Sequence, residues 1–212
     1  MATGMEDYER AVAQKKGHVF DKLFDSLPKR DAVVIELGIG SFPNAPFYAN
    51  SHGVKNIDLI GVDPNDSMEK YARRSAEKAA LIESGVVESL RIVHGVAESL
   101  PLPTGSVDAV VCTLTLCSVV DPSKVLSEVS RILKPGGKFL FLEHVLSETD
   151  PLLAKQQILA TPLQIQVADG CHLDRRTLEF IKAGEFSSVD GEYLDLQGFA
   201  YLNPTVYGLA VK

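Results

Sequence analysis

Two glycines and an aspartate have the spacing of a nucleoside-binding site. Gly38 and Gly40 directly follow a short apolar run. Glycines at such a turn let the backbone bend sharply and approach a ligand closely. Asp63 ends the next apolar run, 23 residues after Gly40, where a carboxylate can accept both hydroxyls of a ribose. A GxG pair alone has many causes, but together with this acid it predicts a cofactor that contains adenosine.

The residues that follow argue against a phosphate-bearing cofactor. Ser41, Phe42 and Pro43 come after Gly40, so the third glycine of a dinucleotide fingerprint is missing. The sequence also has no GxxxxGK[ST] loop, which would hold nucleotide phosphates. Without a phosphate cradle, NAD and ATP fit less well than a cofactor that has adenosine but no phosphate.

The three cysteines, Cys112, Cys117 and Cys171, form neither a CxxC pair nor an even disulfide framework. We therefore expect reduced thiols. Cys117 has no basic neighbour along the chain that would activate it, so we interpret it as a small packing residue. Cys171 and His172 are adjacent, but no second ligand pair is spaced to complete a metal site. The sequence thus predicts no metal.

Composition predicts one folded, soluble domain over residues 1–212. The chain has 45% apolar residues, and 21 basic against 28 acidic residues give a net charge of −7. An acidic balance argues against nucleic acid as a partner, since phosphate binding needs a basic surface. No apolar run approaches the roughly 20 residues that span a bilayer. We expect a cytoplasmic protein; an upstream segment outside this sequence would allow an organellar location.

The elements that position these residues alternate between strands and helices. Short apolar runs predict strands over residues 33–35, 57–62, 90–93, 107–111 and 139–142. Helical patterns occupy residues 65–84, 123–133 (with Asp121 as N-cap) and 175–183. Two final strands, 186–196 and 205–211, are joined too closely for a crossover helix, so they should be antiparallel. This pattern predicts an α/β doubly wound sheet.

A helical stretch from Tyr8 to Leu27 precedes the first strand and has Gly17 as a predicted interruption. Its apolar face suits either a helix packed on the sheet edge or a lid over the ligand site. We expect residues 1–30 to form an N-terminal helical lid.

Five segments occur in the order found in one enzyme family. They are ELGIG (36–40), GVDPNDSM (61–68), GVAESLPLP (95–103), SVDAVVCT (106–113) and RILKPGGKFLFLEH (131–144). In these motifs the chain resembles the class I S-adenosylmethionine-dependent methyltransferases. The resemblance implies a Rossmann-like, seven-stranded, mostly parallel sheet with helices on both faces and an antiparallel last strand. It also implies S-adenosyl-L-methionine as cofactor and S-adenosyl-L-homocysteine as product.

Further segments are similar to the branch that includes alkyl-thiol S-methyltransferases. They are CTLTLCSV (112–119), Glu143-His144, DGCHL (169–173) and the ending YGLAVK. The similarity implies methyl transfer to a small-molecule acceptor, with a thiol among the acceptors. The alternatives are O- or N-methylation of an apolar metabolite, and a cofactor-binding but inactive partner subunit. Animal members carry an apolar N-terminal anchor that is missing here, so no membrane span is expected.

The resemblance assigns the methionine and ribose ends of the cofactor to four residues. Glu36 would order the loop and hold the amino end of the cofactor. Gly38 and Gly40 would leave space for it, and Asp63 would accept from the ribose hydroxyls.

The adenine end is assigned in the same way. Asn65 and Met68 match positions that flank the ribose and adenine, where a thioether suits a ring face. The Ala97 amide and Glu98 match the position at the adenine edge.

The acceptor side depends on the ends of the fourth and fifth strands. Thr113 and Leu114 would lie beside the methionine part of the cofactor. His144 ends the fifth strand, and strand carboxyl ends border the ligand crevice, so His144 is the candidate catalytic base. Residues 150–183 should form a substrate-side helical segment. The Leu, Ile and Val content of residues 150–170 favours a small apolar acceptor.

Overall fold

The architecture is a single sheet covered by helices, and the computed structural model describes residues 2–212, with side chains from residue 6. The helices are α1 (Ala2–Ser26), α2 (Ala45–Ala49), α3 (Glu69–Lys78), α4 (Pro122–Ile132), α5 (Pro151–Val167) and α6 (Thr177–Ala183). The strands are β1 (Val33–Leu37), β2 (Ile57–Asp63), β3 (Val87–His94), β4 (Val107–Thr113), β5 (Leu133–His144), β6 (Ser188–Leu194) and β7 (Thr205–Val211). Short 3₁₀ turns cover Asp66–Met68 and Ala200–Leu202.

Within residues 2–212, seven strands form one sheet in the order β3-β2-β1-β4-β5-β7-β6. Strands β1 to β5 pair in parallel, and β7 is antiparallel to both β5 and β6. This confirms the predicted Rossmann-like sheet and its antiparallel last strand. The strand order reverses between β1 and β4, and ligands of such sheets bind at the carboxyl ends beside that reversal.

The sheet is buried on both faces because successive strand residues point to opposite sides. Val34 belongs to the core beneath α1, α2 and α3, whereas Ile35 belongs to the core beneath α4 and α6. The predicted N-cap of α4 is confirmed: Asp121 accepts from the Lys124 amide at 3.1 Å. Helices on both faces therefore fix the strand ends that carry the site.

The predicted helix over residues 65–84 is wrong in its length. A 3₁₀ turn precedes α3, and α3 ends at Lys78. Ala80 has a φ of 50° and donates its amide to the Glu77 carbonyl, so the chain leaves the helix there. Strand β3 then begins at Val87, three residues earlier than its most apolar run indicates.

The predicted interruption of the first helix at Gly17 is also wrong, because α1 continues through it. A Cβ at Gly17 would lie 3.6 Å from the Phe47 ring, which is ordinary contact. Glycine costs about 1 kcal/mol in a helix interior relative to alanine, and packing of the flanking residues offsets that cost. Tyr8, Val12 and Val19 are all buried against the sheet.

Helix α5 exposes leucines and buries polar side chains, contrary to the expectation from its apolar content. Leu152, Leu159 and Leu163 are between 65% and 72% exposed, whereas Gln157 and Thr161 are buried. Gln157 Nε2 donates to three backbone carbonyls at 2.7–3.1 Å, so a polar anchor holds the helix. The leucines therefore give no support to an apolar acceptor.

Candidate active site

The loop after β1 is shaped by two glycines in the left-handed region, with φ of 62° at Gly38 and 50° at Gly40. A Cβ at Gly38 would lie 2.2 Å from Thr115 Oγ1, so only glycine fits there. The space at Gly38 is therefore filled by the turn after β4. Gly40 is different, since a Cβ there would have only the Gly38 carbonyl oxygen nearby, at 3.8 Å. The open side of the loop is at Gly40.

Asp63 joins this loop to the end of β2. Its Oδ2 accepts from the Gly40 amide and its Oδ1 from the Asn65 amide, both at 2.8 Å. Each carboxylate oxygen has a second lone pair, so the side chain can still accept from ligand hydroxyls. Asn65 in turn caps the 3₁₀ turn by accepting from the Ser67 amide at 3.1 Å, and the half-buried Met68 ends that turn.

Glu36 is 2% exposed and lies within a chain of buried polar side chains. It accepts from Asn44 Nδ2 at 2.8 Å and from the Tyr48 hydroxyl at 3.0 Å. Burial raises the pKa of Glu36 to about 7, although these hydrogen bonds favour the carboxylate. Asn44 also accepts from Lys16 Nζ at 2.9 Å and donates to Thr113 Oγ1 at 3.0 Å. Hydrogen bonds through Asn44 thus connect helix α1 to Glu36, the acid of the cofactor loop.

The sequence analysis did not identify three members of this hydrogen-bonded network: Lys16, Asn44 and Tyr48. The detectable signal was Lys16, which shares the apolar stripe of α1 and is fully buried. A lysine is almost never buried unless a partner compensates its charge. Its partner here is Glu9, whose Oε2 lies 2.7 Å from the ammonium.

Two of the predicted adenine-side residues, Ala97 and Glu98, lie near the start of α4. Ala97 is buried, and Glu98 Oε1 accepts from the Val120 amide at 2.8 Å and from the Asp121 amide at 3.3 Å. Glu98 therefore fixes its loop to the segment before α4. Its predicted role toward adenine stays a prediction.

The turn after β4 is held by Glu143, which sequence reasoning noticed only as part of a motif. This fully buried carboxylate accepts from the amides of Thr115, Leu116 and Cys117 at 2.9–3.3 Å. Burial raises the pKa of Glu143, and the three amides oppose that rise. Leu114 within this turn has a φ of 54°. The turn that touches Gly38 is therefore rigid.

A cavity of about 930 Å³ opens beyond this turn, at the carboxyl ends of β4 and β5. Its walls come from α1, the β4 turn, the end of β5, the end of α5 and residues 198–202. Tyr8, Leu114, His144, Gln164 and Phe199 are among the lining residues. The fold thus brings the predicted His144 and Leu114 to one wall.

Three ligand-type side chains meet at that wall. The Sγ atoms of Cys117 and Cys171 and a ring nitrogen of His144 lie within 4.8 Å of one another. His144 Nε2 is 3.0 Å from Cys171 Sγ. The pKa of Cys171 is lowered by a hydrogen bond from the Cys117 thiol and by His144, while the pKa of Cys117 is raised. Along the chain Cys117 has no basic neighbour, as the sequence indicates, but the fold brings His144 from another strand into its cluster.

His172 is not among the residues that line the cavity. Its Nδ1 lies 3.6 Å from Asp174 Oδ1. Its backbone amide donates to the Cys117 carbonyl at 2.8 Å, so His172 helps to align the loop.

The fold and the crevice define a Rossmann-like methyltransferase, and comparison with known proteins agrees. Residues 35–141 match the family described as "Methyltransferase domain". The chain is 34% identical to human thiol S-methyltransferase TMT1A over 209 residues, covering 97% of this chain and 81% of that protein. It is 35% identical to thiol S-methyltransferase TMT1B of Rattus norvegicus, covering 100% and 84%.

A solved structure shares the fold. The YcgJ protein of Bacillus subtilis superposes with a TM-score of 0.65 at 19% identity, covering 92% of this chain and 98% of that one. The chain belongs to the S-adenosylmethionine-dependent methyltransferase family. Within residues 2–212, no helix combines the length and the apolar character that crossing a bilayer requires.

Proposed function

We propose that the protein transfers the methyl group of S-adenosylmethionine to the sulfur of a small thiol held in the cavity. The observation that carries this proposal is the cavity's position. One turn, residues 113–118, contacts the cofactor loop through Gly38 and supplies Leu114 and Cys117 to the cavity wall. The similarity to thiol S-methyltransferases over nearly the whole chain supports sulfur as the acceptor atom.

Different residues would bind the different parts of the cofactor. Glu36, as carboxylate, would attract the amino end of the cofactor, and Asp63 would accept from the ribose hydroxyls while it holds Gly40. Asn65, Met68, Ala97 and Glu98 would surround the adenine, and Thr113 would lie beside the methionine part. The polar chain from Lys16 to Glu36 supports a preorganised pocket, because its members are already hydrogen-bonded.

Methyl transfer is a direct displacement, so alignment contributes most of the catalysis. Holding two reactants in line can supply about 7–11 kcal/mol in favourable models. Residues from α1 and α5 line the cavity, which supports lid roles for residues 1–30 and 150–183. His144, at the cavity wall, would assist loss of the acceptor proton.

The test is a transfer assay with methyl-labelled cofactor and a matched panel of butanethiol, butanol and butylamine. We expect label in the thiol only. Labelling of the alcohol or amine at an equal rate would contradict a thiol acceptor. Binding of S-adenosylhomocysteine by calorimetry, without labelling of any acceptor in a broader panel, would instead support an inactive cofactor-binding subunit.

A further inference from the structure

The cluster of Cys117, His144 and Cys171 has the size of a metal site. Zinc binds thiolate sulfur at about 2.3 Å and imidazole nitrogen at about 2.0–2.1 Å, so tetrahedral ligands lie roughly 3.5–4 Å apart. The three ligand atoms here lie within 4.8 Å of one another, and the His144–Cys171 pair is 3.0 Å apart. To admit the ion, the His144–Cys171 pair would have to open by roughly 0.5 Å.

The surroundings also have the features of a metal site. The three residues are between 2% and 6% exposed. Gln164 Nε2 lies 3.6 Å from Cys171 Sγ, and Ser118 Oγ lies 3.7 Å from Cys117 Sγ, so polar neighbours surround both sulfurs. Such outer contacts orient metal ligands and tune the ion. Glu143 holds the Cys117 backbone, so this ligand is placed before any ion binds.

We propose that Cys117, His144 and Cys171 bind a zinc ion whose fourth position takes the sulfur of the methyl acceptor. Two thiolates and a neutral imidazole balance the charge of Zn²⁺, and sulfur with imidazole is a donor set that suits zinc. Zinc sites with three protein ligands keep an open position for water or substrate. All three ligands line the cavity, so the open position faces the space assigned to the acceptor.

This zinc would activate the acceptor, and the inference rests on the proposed thiol function. The acceptor thiol binds zinc, and its proton leaves to solvent, because a coordinated thiol is deprotonated outright. His144 would then assist this proton loss as a ligand of the ion and not as the proton acceptor. The thiolate sulfur then attacks the methyl carbon. A new S–CH₃ bond forms while the bond from that carbon to the sulfonium breaks, and the bonding pair stays on the departing sulfur. The products are a neutral methyl thioether and S-adenosylhomocysteine, and the thioether, a weak ligand, dissociates.

The ligands come from three separate segments, which explains why the sequence predicts no metal. Cys117 follows β4, His144 ends β5, and Cys171 follows α5. No two of them have the short spacing by which zinc sites are found in sequences. Only the pairing of β4 with β5 and the return of the chain after α5 bring them together.

The first experiment measures metal content. The full chain is reduced, reconstituted with zinc sulfate and desalted, and we expect roughly one zinc per chain, as for a site with three protein ligands. Cys117→Ser and Cys171→Ser should each lose most of the zinc. Cys112→Ser is the matched control, since Cys112 is equally buried but lies outside the cluster, and it should keep its zinc. Reduced, folded wild-type protein without bound zinc would overturn the proposal.

The second experiment uses cobalt(II) as a spectroscopic probe, which keeps the proposal falsifiable where a serine variant does not fold. We expect thiolate-to-cobalt charge-transfer absorption in wild-type protein, and visible bands that shift with butanethiol but not with butanol. If butanethiol does not shift the cobalt bands, the proposal that the fourth position of the metal binds the acceptor thiol is wrong. Equal butanethiol methylation by metal-free protein would remove zinc from the reaction and leave the proposed function intact. If butanethiol shifts the cobalt bands but is not methylated, the zinc site is supported and the proposed function is contradicted.

Discussion

The cofactor side and the acceptor side of the crevice are built in different ways. The cofactor side consists of a loop and a strand end that are close in sequence, and Asp63 connects them through two backbone amides at 2.8 Å. The acceptor side collects residues from five distant segments around a cavity. The first region depends mainly on the geometry of one loop, whereas the second depends on side chains brought together from distant segments. Substitutions should therefore separate the two, and the turn at residues 113–118 should be where they remain coupled.

Asp63→Ala should have the largest effect and should be confined to the cofactor side. Two ribose hydrogen bonds to a charged group contribute ~1.5–3 kcal/mol each. We expect the affinity for S-adenosylhomocysteine to fall on the order of 1,000-fold. Calorimetry measures this, with Asp66→Ala as the control because Asp66 is an exposed acid in the same segment. Unchanged affinity in Asp63→Ala would remove Asp63 from the site.

Gly38→Ala tests the coupling between the two sides. The new Cβ would lie 2.2 Å from Thr115 Oγ1, and alanine would also have to adopt the positive φ of Gly38. We therefore expect a loss of about 3 kcal/mol in the free energy of unfolding. Gly40→Ala should cost only about 1 kcal/mol, because it has the backbone strain without the clash. Urea denaturation compares the variants. Adding Thr115→Ala to Gly38→Ala should restore part of the loss, and no recovery would show that the two sides are not interlocked there.

Glu143→Gln should weaken the acceptor side. An amide cannot accept from three backbone N–H groups as a carboxylate does, so we expect unfolding to become easier by about 2 kcal/mol. Methyl transfer should slow, while the affinity for S-adenosylhomocysteine should change far less than in Asp63→Ala. Glu148→Gln is the control, since that acid is exposed and should alter stability by less than about 0.5 kcal/mol. Equal losses on both sides of the crevice would break the comparison.

The pH dependence of Glu36 gives the smallest effect. Burial raises the pKa of the folded-state carboxyl from 4.5 to about 7. The group's stabilising contribution is therefore present below the unfolded value and is lost as pH rises through about 7. Between about pH 6 and about pH 8, the stability of the cofactor-free protein should fall by about 1 kcal/mol relative to Glu36→Gln. Parallel pH profiles of the two proteins would contradict this assignment.

The sequence predicted most of the fold because the signals that define its elements are local. Strand runs, the Asp121 cap and the short link before β7 each depend on a few adjacent residues. The cofactor loop was recognisable for the same reason, since Gly38 and Gly40 are two residues apart. Helix ends were less predictable: the end of α3 depends on Ala80 adopting a positive φ, for which alanine has no preference.

The acceptor side was largely beyond sequence reasoning. His144 was placed at the crevice from its position at a strand end, but its neighbours were not foreseeable. Cys171 comes near it only after α5 has reversed the chain, and α5 itself buries Gln157 where its leucines suggested an apolar face. Tertiary packing, not periodicity, decided which side of that helix turned inward.

The position of β7 between β5 and β6 has a consequence for the order of folding. Thr205 in β7 pairs with His144, and its hydroxyl lies 2.6 Å from that of Tyr8, 197 residues away. The cofactor loop and its strands are made early in synthesis, but β5 meets its last neighbour only when β7 emerges. A nascent chain should thus be able to assemble the cofactor crevice before the acceptor cavity exists. Contacts of such long sequence separation form late, so completion of the cavity should be the rate-limiting step of folding.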